Sequence, residues 1–230
     1  MTTAPRSLRT SPRRPKLARP RPCTSDTAQV ASPAMTDTAW AAQTARHLLS
    51  EPLPRRWAHV QGVAATARTL APVLGPDTEL VTAAAWLHDI GYSPALADTG
   101  FHPLDGARYL RDTAQTDPEL CRLVAHHSGA IHEAAERGLA DDLTSEFARP
   151  RPHLSDALVY CDLTTGPDGQ RLSIDQRLAD IRARYAPDHP VTRAMARSAP
   201  ELRAAVERVI CQLDDQPASR CLTLSIAGLA

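Results

Sequence analysis

Imidazoles and carboxylates recur through the middle of this chain in places where an ionisable group is costly. His59 lies inside the amphipathic stretch 53–70, and His88 and Asp89 stand side by side at the end of the apolar ladder AAAWLHDIGY. His102 directly precedes Pro103, His126 and His127 close the apolar segment CRLVAHH, and Asp162 ends VYCD. Each sits on an apolar helix or at a helix end, where such a group needs a hydrogen-bond partner, an opposite charge or a metal ion. Neighbours at i and i+1 differ by about 100° around a helix axis, so one of His88 and Asp89 can face a metal while the other still leans toward it. The alternative is a polar helix end, with His88 favourably placed at the negative pole of the macrodipole. Singly, each residue reads as a capped or hydrogen-bonded core group. Jointly, they form a set with few partners other than one another.

The elements that must position these residues are helical. Asp37 caps a helix through Leu49, and 53–70 places Trp57, Val60, Val63, Ala64, Ala67 and Leu70 at three- and four-residue steps. Asp77 or Thr78 opens a helix that stops at Gly91. Pro103 and Pro118 stand where first helical residues would. SDALVYCD (155–162) is a further short helix, Ser173 with Gln176 forms a capping box before IDQRLADIRARY, and Pro200 begins ELRAAVERVICQLDD. CLTLSIAG near the end is the one stretch that reads as a candidate strand. Aromatics are 4% of the 230 residues, so the core must be built from Ala, Leu and Val, which suits packed helices. The expected fold class is all-α, a single helical bundle domain.

Composition divides the chain. Residues 1–34 hold six prolines and seven basic groups (Arg6, Arg9, Arg13, Arg14, Lys16, Arg19, Arg21) against Asp26 alone. They are expected to be a disordered tail, a stretch ahead of a true start at Met35, a transit peptide or a basic arm. The remaining residues carry 19 basic and 25 acidic groups, an acidic balance that argues against nucleic acid as partner. The domain is expected over 35–215, with 216–230 as a C-terminal tail. Five scattered cysteines without a C-x-x-C pair favour reduced thiols, and no apolar run reaches the roughly 18 residues that span a bilayer. A soluble cytoplasmic protein, without a membrane partner, is expected.

In order and helical setting, His59, His88-Asp89, His102, His126 and Asp162 together resemble the HD-domain superfamily of metal-dependent phosphohydrolases. The likeness covers roughly residues 50 to 185, through RWAHVQGVAATA, AAAWLHDIGY, GFHPLDGARYL, VAHHSGA and LVYCDLTT. It implies a helical bundle with a metal site built from several helices. His59, His88, Asp89 and Asp162 match the set that binds one metal in the simplest members. His102 and His126 match the extra pair of the two-metal subset, with Asp89 as the bridging carboxylate. The resemblance therefore implies two divalent ions, with iron favoured and manganese or another divalent ion as the fallback. Two cations about 3.5–4 Å apart activate a water and clamp phosphoryl oxygens for in-line attack.

The chain departs from the cyclic-dinucleotide members, which read HDIGK and carry GYP. Here Tyr92 holds the lysine position and no GYP follows His127. Asp89 and His127 are the candidate catalytic residues; His127 reads equally as a donor to a ligand, a further ligand or a surface residue. Arg55, Arg56 and Arg108 are candidate phosphate contacts, Thr165 with Thr164 a candidate substrate contact, and each reads equally as a solvated or turn residue. The expected function is hydrolysis of a phosphoester or phosphoanhydride of a nucleotide-like small molecule. An HD-type mixed-valence diiron oxygenase, of which myo-inositol oxygenase is one, and a non-catalytic module stapled by metal are the alternatives.

Overall fold

A computed structural model describes residues 37–216. The expected tail 1–34, all but Gln216 of the expected tail 216–230, and the candidate strand CLTLSIAG lie outside the described residues. Among the described residues there are eleven α-helices and no strand, only an isolated bridge between Thr165 and Arg171. The all-α expectation holds.

Local chemistry sets most helix starts. The Asp37 carboxylate accepts the Ala39 N–H at 2.8 Å and opens α1 (Thr38–Leu49). Pro54, in the first turn, opens α2 (Pro54–Thr69), which a short α3 (Ala71–Leu74) follows. Asp117 accepts the Glu119 N–H at 2.7 Å ahead of Pro118 in α6 (Pro118–His126). Ser173 and Gln176 form the expected capping box at α10 (Ile174–Arg184).

Two helices carry the centre of the bundle. Every residue of α4 (Thr78–Leu87) from Leu80 onward is buried, and the helix packs against α1, α2, α6 and α9. A helix apolar on all sides is one surrounded by others. In α9 (Pro152–Leu163) the last seven residues are all buried, against α2, α4, α6 and α11 (Pro190–Asp214). α4 and α9 end at His88 and beside Asp162, so the two most enclosed elements present an imidazole and a carboxylate at their last turns.

Glycine then lets the remaining pieces approach. After Asp89 the chain makes a single 3-10 turn, Ile90–Tyr92, against the first turn of α5 (His102–Asp112). A Cβ at Gly91 would lie 2.0 Å from the His102 carbonyl oxygen and 2.7 Å from the Gly106 nitrogen. Only glycine admits that contact, which seats His102 beside Asp89. On the other side a Cβ at Gly62 would lie 2.5 Å from the Gly169 carbonyl oxygen. The loop after α9 therefore lies directly on α2.

The elements differ from the sequence expectation in three respects. α9 starts at Pro152 rather than Ser155, because proline supplies the first turn. Pro200 does not open a helix but lies within α11, which starts at Pro190 behind His189, whose ring accepts the Val191 N–H at 3.2 Å. An interior proline costs about 3 kcal/mol. Burial of Val191, Ala194, Ala199, Leu202, Ala205, Val206 and Val209 along α11 offsets it. α7 (Ala130–Arg137) and α8 (Ala140–Glu146) had no expectation; at eight and seven residues they are too short to show periodicity.

The Gly91 contact yields a test. Because the clash of Gly91→Ala is with backbone, it is expected to destabilise the protein by about 3 kcal/mol. Thermal denaturation should show a Tm lower by roughly 6 to 12 °C; an unchanged Tm would show that α5 does not need this approach.

Candidate metal centre

Two groups of side chains offer ligand atoms within 4.8 Å of one another: His59, His88 and Asp162, and Asp89, His102 and His127. The Asp89 carboxylate joins them. Its Oδ2 lies 3.4 Å from His88 Nε2 and 3.9 Å from His59 Nε2, while Oδ1 lies 3.4 Å from His102 Nε2 and 3.9 Å from His127 Nε2. Asp162 Oδ1 is 3.0 Å from His59 Nε2.

Tautomers decide what those contacts mean. A carbonyl oxygen can only accept, so a ring nitrogen beside one must carry the proton. His59 Nδ1 donates to Gly166 at 3.0 Å, His88 Nδ1 to Ala85 at 2.8 Å, and His127 Nδ1 to Val124 at 2.7 Å. In each neutral ring the Nε2 lone pair then faces carboxylate oxygens or another imidazole. Lone pairs facing one another at such distances repel unless a cation, a proton or a metal ion, lies between them. His88 Nε2 is buried and has no hydrogen-bond partner at all. Imidazoles whose outer N–H is fixed by a carbonyl, converging on carboxylates, are the donor set that divalent transition ions take. The residues present fit such ions.

Protonation states agree with this reading. Burial opposes ionisation of Asp89 and Asp162, yet both are held well below the usual carboxylate range. Arg56, His88 and His102 do this for Asp89, and His59, His88 and Arg177 for Asp162. Burial pushes His102 down to about 3 and also lowers His127, with the His88 charge adding to the effect. Burial opposes charge on His88 too, but Asp89 and Asp162 outweigh it and raise its pKa. The carboxylates are thus anionic and the His102 and His127 rings favour the neutral form, while His88 is held toward its cationic form and is the ring that most needs a positive charge, a proton or a metal ion, at its Nε2.

Outer contacts hold the ligand atoms still. Arg56 Nη1 donates to Asp89 Oδ2 at 2.6 Å, and its guanidinium lies 3.9 Å from the Tyr92 ring centroid. Tyr92 in turn stacks on His102, with centroids 3.8 Å apart and planes 17° apart. The Ser128 hydroxyl donates to Asp162 Oδ2. Ser128 reaches it from a left-handed backbone conformation, φ 48°, which any residue but glycine adopts at a cost.

Residues 56–181 match the HD domain family. The chain belongs to that family. No curated protein and no solved structure matches it. HD-domain proteins are in general metal-dependent phosphohydrolases. Among the described residues, no helix is long and apolar enough to cross a membrane.

Of the residues expected at the HD site, the structure brings His59, His88, Asp89, His102 and Asp162 together. His126 is not among them. Its Nε2 donates to the Phe147 carbonyl at 2.8 Å, away from the cluster, and His127 stands in its place. The physical reason is the break after α6: His126 is the last helical residue, whereas His127 is extended (φ −60°, ψ 149°) and turns inward. Arg56 is at the cluster, but Arg55 is exposed and pairs with Asp168 at 3.0 Å, reaching only a smaller opening that His59 also lines. Arg108 is tied to Glu146, with no contact to the cluster, and Thr165 is fully buried with its hydroxyl on the Cys161 carbonyl at 2.7 Å. Neither Arg108 nor Thr165 lines the cleft over the cluster.

Sequence reasoning missed Arg177 and Arg184. Both line that cleft, from one face of α10, where Arg177, Ile181 and Arg184 recur at i, i+4 and i+7. That spacing was visible and was the available signal.

The two histidines give a direct test. Element analysis of purified variants is expected to find His88→Ala and His127→Ala depleted in metal, and His126→Ala still loaded like the parent. Metal loss from His126→Ala with retention by His127→Ala would reverse the assignment.

Proposed function

We propose that this HD-domain protein is a cytoplasmic metal-dependent phosphohydrolase that cleaves a phosphoester or phosphoanhydride of a nucleotide-like small molecule. The observation that carries the reading is the set of carbonyl-fixed imidazoles whose lone pairs converge on the two ionised carboxylates.

In this reading His59, His88 and Asp162 hold one divalent ion, and Asp89, His102 and His127 the other, with the two oxygens of Asp89 turned to the two groups. Mixed imidazole and carboxylate donors accept several divalent ions; the family resemblance favours iron, with manganese or another divalent ion as the alternative. Bound ions supply Lewis-acid polarisation of a phosphoryl oxygen and lower the pKa of water. The chain's own residues do the rest. Arg56 holds Asp89 in orientation through its 2.6 Å bond and leaves Asp89 Oδ1 to the second group. Ser128 fixes the outer oxygen of Asp162. His127, one of the two candidate catalytic residues, has its Nδ1–H engaged by Val124 and its Nε2 facing His102 at 3.1 Å. Ligation suits it better than acid catalysis.

Arginine beside the cluster supports hydrolysis over the oxygenase alternative. Guanidinium groups match phosphate geometry, and Arg56 and Arg177 both reach the carboxylates from the cleft side. Apolar residues Leu163, Ile181, Val191, Ala194 and Met195 line the same cleft and suit a nucleobase-like or other organic moiety.

Removal of metal by a chelator is expected to abolish phosphoester turnover, and re-addition of iron(II) or manganese(II) to restore it, measured as phosphate release. Oxygen uptake during turnover, or turnover by the metal-free protein, would overturn the proposal.

A further inference from the structure

The cleft over the cluster and the smaller opening beside it share three residues, Arg56, Arg177 and Arg184. Arg55 lines the smaller one too, together with His59 but without Asp89, His102 or His127. The guanidinium groups therefore extend past the candidate metal ligands on the His59 side.

Arg177 is the unusual member. Its side chain is 6% exposed, and charged side chains are almost never buried so far unless fully paired. Nη1 donates to Asp180 Oδ2 at 3.1 Å and Nη2 lies 3.6 Å from Asp162 Oδ1, but Nε is buried with no partner. An unmet buried donor on a cation is costly unless a ligand supplies the acceptor. Asp180 also takes Arg184, and Asp168 takes Arg55; the other two carboxylates facing these four arginines, Asp89 and Asp162, are the ones that the histidines surround. Arg56 remains committed to Asp89.

A single phosphoryl group on the metal ligands would leave this extension unused. From that placement we infer that Arg177 and Arg184 form a seat for a second, non-scissile phosphoryl group, so that the preferred substrate class is a diphosphate or longer polyphosphate rather than a simple monoester. The inference rests on the hydrolase reading for its substrate but on the arginine geometry for its binding. Arg177, already oriented by Asp180, supplies the buried donor. Arg184, a third exposed, closes on the ligand from the rim.

Calorimetric titration of the metal-loaded full chain with methylenediphosphonate, a non-hydrolysable diphosphate, and with methylphosphonate tests this without turnover. Metal per chain is measured before and after, so that stripping of ions is seen directly. The parent protein is expected to bind the diphosphonate at least about tenfold more tightly, as charge-assisted hydrogen bonds allow. In Arg177→Gln and Arg184→Gln the ratio should fall toward one at unchanged metal content. Arg184→Gln, at an exposed position, carries the test if the buried Arg177→Gln does not fold by circular dichroism. A ratio near one in the parent, or one that survives in every folded variant, overturns the inference. Absence of phosphoester turnover with the ratio intact and arginine-dependent would remove the hydrolase reading and leave the diphosphate seat standing.

Discussion

Two carboxylates that stay ionised while almost wholly enclosed cannot be stable beside imidazole lone pairs without cations among them, and the centre of this bundle is organised around that constraint. Asp89 and Asp162 are 3% and 6% exposed. Guanidinium groups answer part of the demand: Arg56 from α2 bonds Asp89, and Arg177 from α10 stands near Asp162. The remainder falls on a space bounded by four ring nitrogens. Such an arrangement is strongly destabilising if its cations are removed one-sidedly, because an uncompensated buried charge is left behind.

The ends of helices are the device that builds it. A helix leaves its last carbonyls without intrahelical partners. His88 and His127 each follow a helix and each turn Nδ1–H back onto the carbonyl three residues earlier, Ala85 and Val124. One bond thus satisfies an orphan carbonyl, fixes the tautomer and aims Nε2 at the carboxylates. Because α4 is enclosed on all sides by α1, α2, α6 and α9, that aim is held by packing rather than by the surface. Gly91 completes the device by admitting α5, whose first residue, His102, then stacks on Tyr92 within reach of Asp89.

Much of this was legible in the sequence, since helix caps and apolar periodicity are local signals. The helices bearing His59, His88, His102 and Asp162 follow from proline or aspartate starts and from the apolar ladder that ends at Leu87. The choice between His126 and His127 was not legible. It depends on where α6 stops, and the extended backbone at His127, followed by the left-handed turn at Ser128 and Gly129, leaves no mark that distinguishes two adjacent histidines. Arg108 and Thr165 do not line the cleft for a related reason. Proximity along the chain to His102 and Asp162 says nothing about facing, and both side chains turn away, one to Glu146 and one to the Cys161 carbonyl. Pro200 shows the opposite failure, a correct local rule outweighed by burial along α11.

Arg177 illustrates what sequence distance hides most completely. It lies 15 residues beyond Asp162, past a turn-rich loop, on a helix whose start was read correctly. Nothing local says that this helix returns across the cluster. Yet the return follows from the contact at Gly62, where the loop after α9 lies directly on α2. The same loop delivers the Gly166 carbonyl to His59 Nδ1. A single close approach between two glycines therefore sets the tautomer of His59 at one end of the segment and brings a buried arginine over the carboxylates at the other, so the candidate metal cluster and the arginine rim are positioned by one piece of backbone.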